Sequence, residues 1–264
     1  MSVLTLRQAP PERLDFLNIN PLALGRLSQG EAERLPVGTT RRGLRLGDCF
    51  SVSLDGADTL VVEGGHERLD RVGAALADGT LRVVGDVGQR LGEGMTGGVL
   101  SVSGHAGPFA ATGATGGTIT IAGDAGDHAG GAVYAAKAGL DGATLIVRGR
   151  AGRHLGDRMR RGLILAGDAG DMAGSRMIAG TIAARSVGDH PGYGMRRGTL
   201  VVGGHGAMSP TFVETGTHDL VFLRLLARAL KRLSPEHAEL IDRPLRRYSG
   251  DLATIGKGEI WASA

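Results

Sequence analysis

The sequence predicts an all-β chain: a right-handed parallel β-helix, a solenoid with an N-terminal cap and a C-terminal helix. Two observations carry the prediction. A glycine motif, G-xx-G-xxx-G, returns every 18 to 26 residues, and a short β-branched run precedes the copies. Complete copies stand at 85–92, 123–130, 149–156 and 167–174. Degenerate ones begin at Gly104, where Ala111 replaces the third glycine, and at Arg185, which keeps Gly188 and Gly192; Gly203-Gly-His-Gly206 closes the series. A fixed period of this length means one supersecondary unit per repeat, unable to bury its apolar face until it is stacked. Glycine is required where the backbone turns through positive φ or where neighbouring repeats approach closely.

The runs before the motifs are the strands. They lie at 80–84, 99–103, 118–122, 144–148, 163–166 and 199–202, with Asp58-Thr-Leu-Val-Val-Glu-Gly64 as an earlier member. Each is too short for a helix and closes on a turn. Stacked on their equivalents, they give parallel ladders ~4.8 Å apart. A repeat of this size holds two or three short strands and sharp corners, and the crossover rule makes the winding right-handed. The repeat after Gly123 is longer than the others, so residues 134–142 are expected to bulge out as a loop. Three segments follow: a capping segment at 1–57, the repeats at 58–208, and a helix with a tail at 209–264.

The ends differ from the middle. Ser28-Gln-Gly-Glu31 is a capping box for a short helix reaching about Leu35. Residues 219–233 form a helix with Arg224, Arg228, Lys231 and Arg232 in one narrow polar stripe, stopped by Pro235. The rest of its circumference is apolar. It must cover the open end or the side of the solenoid, or bury itself in another subunit, because an uncapped end is an aggregating sheet edge.

Composition agrees with an ordered solenoid despite 46 glycines and only five Phe, three Tyr and one Trp, because the aliphatics are periodic. No apolar run is long enough for a membrane span, and the N-terminus lacks the basic start and apolar core of a leader. Cys49 is the single cysteine, which excludes an internal disulfide framework. The chain reads as cytoplasmic.

No catalytic constellation is visible. His128, His154 and His190 share one repeat position with Phe109 and Met172. A metal would need imidazoles and a carboxylate converging, but Asp127 and Asp189 precede their histidines and face the other way. A stacked, partly solvated ladder is the reading. Met95, Met159, Met177 and Met195 recur ten residues after the motif starts and read as a core ladder. Residues 92–97 match G-x-G-x-x-G without a βαβ unit around them, so no dinucleotide site follows. Cys49 reads as a small buried hydrophobe. Catalytic and metal-binding residues are therefore none.

The arginines are the candidate site. Equal repeat positions align Arg158 with Arg176, and Arg160 and Arg161 with Arg196 and Arg197, a cationic stripe over three repeats. One reading is a solvated face that prevents lateral sheet pairing. The other is a surface for a polyanion or an acidic partner, for which arginine's bidentate carboxylate geometry is suited. Nucleic acid fits poorly, since the formal charge is only +3 and stacking aromatics are few.

With the repeat, the tail Tyr248-Ser-Gly-Asp-Leu-Ala-Thr-Ile-Gly-Lys-Gly-Glu-Ile260 and the entry segments Ile19-Asn-Pro-Leu-Ala and Leu46-Gly-Asp-Cys-Phe50, nearly the whole chain resembles the C subunit of formylmethanofuran dehydrogenase. The same β-helix resembles the C-terminal domain of the glutamate synthase large subunit. The resemblance implies one of two complexes. One is the molybdenum or tungsten formylmethanofuran dehydrogenase. The other is the formyltransferase/hydrolase complex of aerobic methylotrophs, which moves formyl from formyl-tetrahydromethanopterin to a methanofuran-type carrier and releases formate. All basic residues except Lys137, Lys231 and Lys257 are Arg, a high-GC bias that favours the second. The resemblance further implies a non-catalytic scaffold with no cofactor of its own. Its partners would be a formyltransferase subunit, an amidohydrolase-like subunit and a further subunit, with the polyglutamylated methanofuran-type carrier moving between them and neither nucleic acid nor membrane involved. Two readings from other classes stay open: a β-helix enzyme acting on polysaccharide, and a homo-oligomeric scaffold.

Overall fold

The computed structural model describes residues 1–56 and 58–263. The chain is mostly β, with a thirteen-stranded, mostly parallel sheet and a few short helices. Eight strands pair in parallel in chain order: Thr59–His66, Thr80–Val87, Val99–Val102, Thr118–Ile121, Asp141–Ala151, Arg161–Ala169, Thr181–Val187 and Arg197–His205. Thr181–Val187 is not among the runs expected from the sequence. Its inner residues, Ile182, Ala183 and Ala184, carry only one β-branched side chain, so the propensity signal is weak although the register is intact.

Stacking in register builds the core. Leu60, Leu81, Leu100, Ile119, Leu145, Ile164, Ile182, Leu200 and Ile260 form one ladder, and every member is fully buried. Burying each such side chain contributes about 1.5–3 kcal/mol. Met95, Met159, Met177 and Met195 are fully buried, as the core-ladder reading requires. A further parallel column, Val87, Ala106, Ala125 and Ala151, continues the stacking beyond the main ladders. Small side chains there keep the repeats close.

Between strand and strand the chain turns through left-handed conformations. Arg71, Arg90, Phe109, His128, His154, Met172 and His190 occupy one column with φ of 56–62°. Ala111 holds φ of 59° where the motif has its third glycine, so this departure from the motif costs local strain and leaves the turn in place.

Both ends of the sheet finish in antiparallel pairs. Ser2–Leu6 runs parallel to Thr59–His66 and antiparallel to Phe50–Ser53. At the other end the tail supplies a rung: Lys257–Ser263 lies parallel to Arg197–His205, followed by Leu245–Gly250 and Val213–Thr217, both antiparallel. Asp251, almost fully buried, pins the turn of that tail. Burial would raise its pKa, but hydrogen bonds from the Thr211 side chain and the Ala253 and Gly194 N–H groups outweigh this and hold it below the ordinary range.

Helices occupy the flanks. The capping box at Ser28 and Glu31 forms, opening the helix Gln29–Glu33. The C-terminal helix is Val221–Leu230, shorter than 219–233 at both ends. Pro235 does not simply stop it; Pro235 sits in the first turn of a second helix, Pro235–Ile241, where its missing N–H is harmless. Leu223, Ala227 and Leu230 pack with Ala238 and Ile241 on Ile146, Leu165, Ala183, Val201 and Trp261, which project outward from five successive rungs. The helix therefore covers a side of the sheet. His237 fastens this layer, its two ring nitrogens 2.7 Å from the Ser234 hydroxyl and 2.8 Å from the Ala166 carbonyl.

Candidate functional site: an arginine-lined face and cleft

The strands and turns that carry the arginines are aligned by backbone hydrogen bonds. Arg158 N–H donates to the Ser175 carbonyl (2.9 Å) and Arg176 N–H to the Tyr193 carbonyl (2.7 Å), which puts both residues in one column of left-handed turn positions. Arg160 N–H donates to Leu140 and Arg196 N–H to Met177, with Ile178 on the rung between them. Arg161 is in register with Asp141, and Arg197 with Lys257.

The six arginines divide into three environments. Arg158 and Arg176 line a cleft; Arg158 donates from Nη1 to the Ala136 carbonyl at 3.0 Å. Arg176 grips Asp157 through two hydrogen bonds of 2.8 and 2.7 Å, and Ser175 donates a third at 2.8 Å. Arg160 and Arg161 both engage Asp141, at 3.4 and 2.8 Å. Arg196 and Arg197 are exposed beside Ile178 and Ile255. Neither acidic partner was expected from the sequence. Asp157 directly precedes Arg158 and stands one repeat before Arg176, and Asp141 stands one repeat before Arg160 and Arg161; that spacing was the available signal.

Pairing changes what each arginine can do. The Asp157 side chain is only 2% exposed, whereas that of Arg176 is 47% exposed. Removing Arg176 strands a buried carboxylate, which costs several kcal/mol when both partners are buried and less here because water reaches one of them. We expect Arg176→Gln to lower unfolding free energy by about 2 kcal/mol, while Arg196→Gln stays within about 0.5 kcal/mol. Denaturant titration of both variants decides it. Equal losses would mean that Asp157 does not depend on Arg176.

The histidine column is a stack. The ring centroids of Phe109 and His128 lie 4.9 Å apart and those of His128 and His154 4.8 Å, with the ring planes nearly parallel in both pairs. Burial, and then electrostatic repulsion from the neighbouring imidazole of His154, hold the His128 pKa below the ordinary imidazole range. Among the described residues no group of three or more His, Cys, Asp and Glu converges as a metal site. Cys49 is buried.

Parallel ladders in register, antiparallel pairs at both ends of the sheet and arginines recurring from rung to rung describe a mostly parallel β protein built from sequence repeats. No protein-family model matches the chain. A curated relative, the C subunit of the formyltransferase/hydrolase complex Fhc of Methylorubrum extorquens, is 69% identical over 265 residues, covering 100% of this chain and 100% of its own length. The structure also matches a chain in the X-ray crystal structure of the formyltransferase/hydrolase complex FhcABCD of Methylorubrum extorquens in complex with methylofuran, with a TM-score of 0.98 and 68% identity over 99% of each chain. The chain belongs to the family of C subunits of formyltransferase/hydrolase complexes.

Proposed function

We propose that this chain is the non-catalytic scaffold of a formyltransferase/hydrolase complex. It holds a formyltransferase subunit, an amidohydrolase-like subunit and a further subunit in the cytoplasm, so that formyl passes from formyl-tetrahydromethanopterin through a polyglutamylated methanofuran-type carrier to formate. The observation that carries this is the full-length identity of 69% to the M. extorquens protein. It also favours this complex over the molybdenum or tungsten dehydrogenase. The repeats act as a right-handed parallel β-helix with caps at 1–57 and 209–264. Supporting this are the continuous parallel register and the second column of parallel bridges, with handedness from the crossover rule. Trp261 offers the polysaccharide alternative no sugar platform, because it is fully buried.

Arg196 and Arg197, with Arg158, Arg160, Arg161 and Arg176 beside them, form the surface for the carrier's polyanionic tail or for an acidic partner. The tagged chain, drawn from its native cell, is expected to bring the other subunits with it. Expressed alone, it is expected to be inactive in formyl transfer and in formylmethanofuran hydrolysis; either activity in the isolated chain would refute the scaffold role. The double variant Arg196→Gln with Arg197→Gln should weaken retention of carrier or partner. That loss should shrink with salt, since exposed charges are screened over ~8–10 Å.

A further inference from the structure

The repeat that begins at Gly123 is 26 residues long, against 18 or 19 for the others. In repeat proteins such insertions fall on one face, often the binding face. Here the extra residues are pinned down. Leu140 N–H closes the loop base on the Gly130 carbonyl (2.8 Å), Ala132 N–H donates to Asp157, and Gly139 N–H to Arg158. From this anchored loop Tyr134 projects, 97% exposed. A solvent-exposed aromatic side chain carried on an anchored loop is the kind of residue that anchors protein interfaces.

Behind the loop lies a cleft of about 240 Å³ lined by Phe109, His128, Val133, Tyr134, Arg158 and Arg176, among others. Small-molecule pockets run from ~300 Å³ upward, so this volume suits one side chain better than a whole cofactor. Its chemistry is specific. Arg176 neutralises Asp157 through Nε and Nη2, and Arg158 spends a single hydrogen bond on Ala136. That leaves one net positive charge and several guanidinium donors. His128 has an enclosed Nδ1 with no hydrogen-bond partner. Apolar walls from Phe109, Val133 and Tyr134 would take an aliphatic stem.

We infer that the 131–139 loop and this cleft form a docking site for a carboxylate side chain of another protein subunit, with Tyr134 packing on that subunit's surface. The inference rests on the proposed place of the chain in a multi-subunit complex. A second copy docked two-fold-symmetrically on this same face fits poorly, because it would set Arg158 and Lys137 against their own kind.

The test uses the complete complex. Lys137→Cys places an accessible thiol on the loop, where the only other cysteine, Cys49, is 4% exposed. Maleimide labelling of this variant should slow at least tenfold on assembly with the other subunits. Tyr134→Ala and Arg158→Gln should each weaken binding to those subunits at least tenfold, the first without any change in melting temperature. If the subunits assemble while the thiol reacts at its free rate and Tyr134→Ala binds normally, the docking site is wrong and the scaffold role survives. Protection of the free chain by millimolar glutarate alone would make the cleft a site for free carboxylates and overturn the protein occupant. Failure of the wild-type chain to retrieve any subunit would remove both.

Discussion

Gly117→Ala is expected to lower the unfolding free energy by about 3–4 kcal/mol, enough to shift the melting temperature by roughly 10 °C in a chain of this size. Gly117 has φ of +81° and stands just before the strand Thr118–Ile121. A Cβ there would lie 2.6 Å from the Gly97 carbonyl oxygen of the preceding repeat and 2.6 Å from the Met95 methyl. The methyl can swing away, but the carbonyl is part of the stacked backbone. Strain of the left-handed conformation adds ~1 kcal/mol or more. Gly43→Ala supplies the control: its φ is +65° with open space around it, so it should show the conformational cost alone, about 1 kcal/mol. Thermal unfolding of both variants checks the difference. Equal losses would show that close stacking of repeats plays no part.

The same position recurs. Gly79, Gly98, Gly117, Gly142, Gly162, Gly180 and Gly198 all have positive φ and each stands at the entry to a strand or within its first residues. This glycine column was present in the sequence, in Gly-Thr-Leu at 79–81 and 198–200, yet the G-xx-G-xxx-G motif does not include it. The motif positions were legible because their spacing is invariant. The entry glycine stands 13 residues after the motif starts at 85, 104, 149, 167 and 185 but 19 after Gly123, because the loop at 131–139 lengthens that repeat.

Strand positions were legible for the reason that ladders are: Leu, Ile and Val recur at one phase, and each run ends on a turn. What the runs do not encode is where an outer layer will land. That information sat in the outward-facing column, Val61, Arg82, Ser101 and Thr120, which becomes Ile146, Leu165, Ala183, Val201 and finally Trp261. Val61 at the far end is apolar and buried apart from this layer; the change from polar Arg82, Ser101 and Thr120 to apolar Ile146 marks the rungs that the helices cover. Read residue by residue along the chain, it looks like ordinary strand composition; read across rungs, it is a footprint. The arginines behaved likewise. Their alignment followed from the period, but their partners, Asp141 and Asp157, lie one repeat earlier, and only the stacked geometry brings the charges together.

The footprint gives the second large effect. Leu230 is fully buried in the layer that contains Trp261 and Ala238. Leu230→Asp removes its packing, worth about 2–5 kcal/mol for a buried leucine, and puts an unpaired carboxylate against apolar side chains. A total loss of about 4 kcal/mol is expected, read as a drop in denaturation midpoint of the isolated chain. Leu225, on the same helix, is 62% exposed, and Val221 and Phe222 are 64% and 45% exposed. Leu225→Asp should therefore leave the isolated chain within about 0.5 kcal/mol of wild type. Yet a cluster of exposed apolar residues beside Arg224 and Arg228 is an unfavourable surface for a free protein and a favourable one for a partner. In a multi-subunit complex Leu225→Asp should lower recovery of the other subunits, whereas the isolated chain melts as before. Loss of stability on Leu225→Asp, or tolerance of Leu230→Asp, would mean that the helix docks through its other face and that the outward apolar column has a different cover.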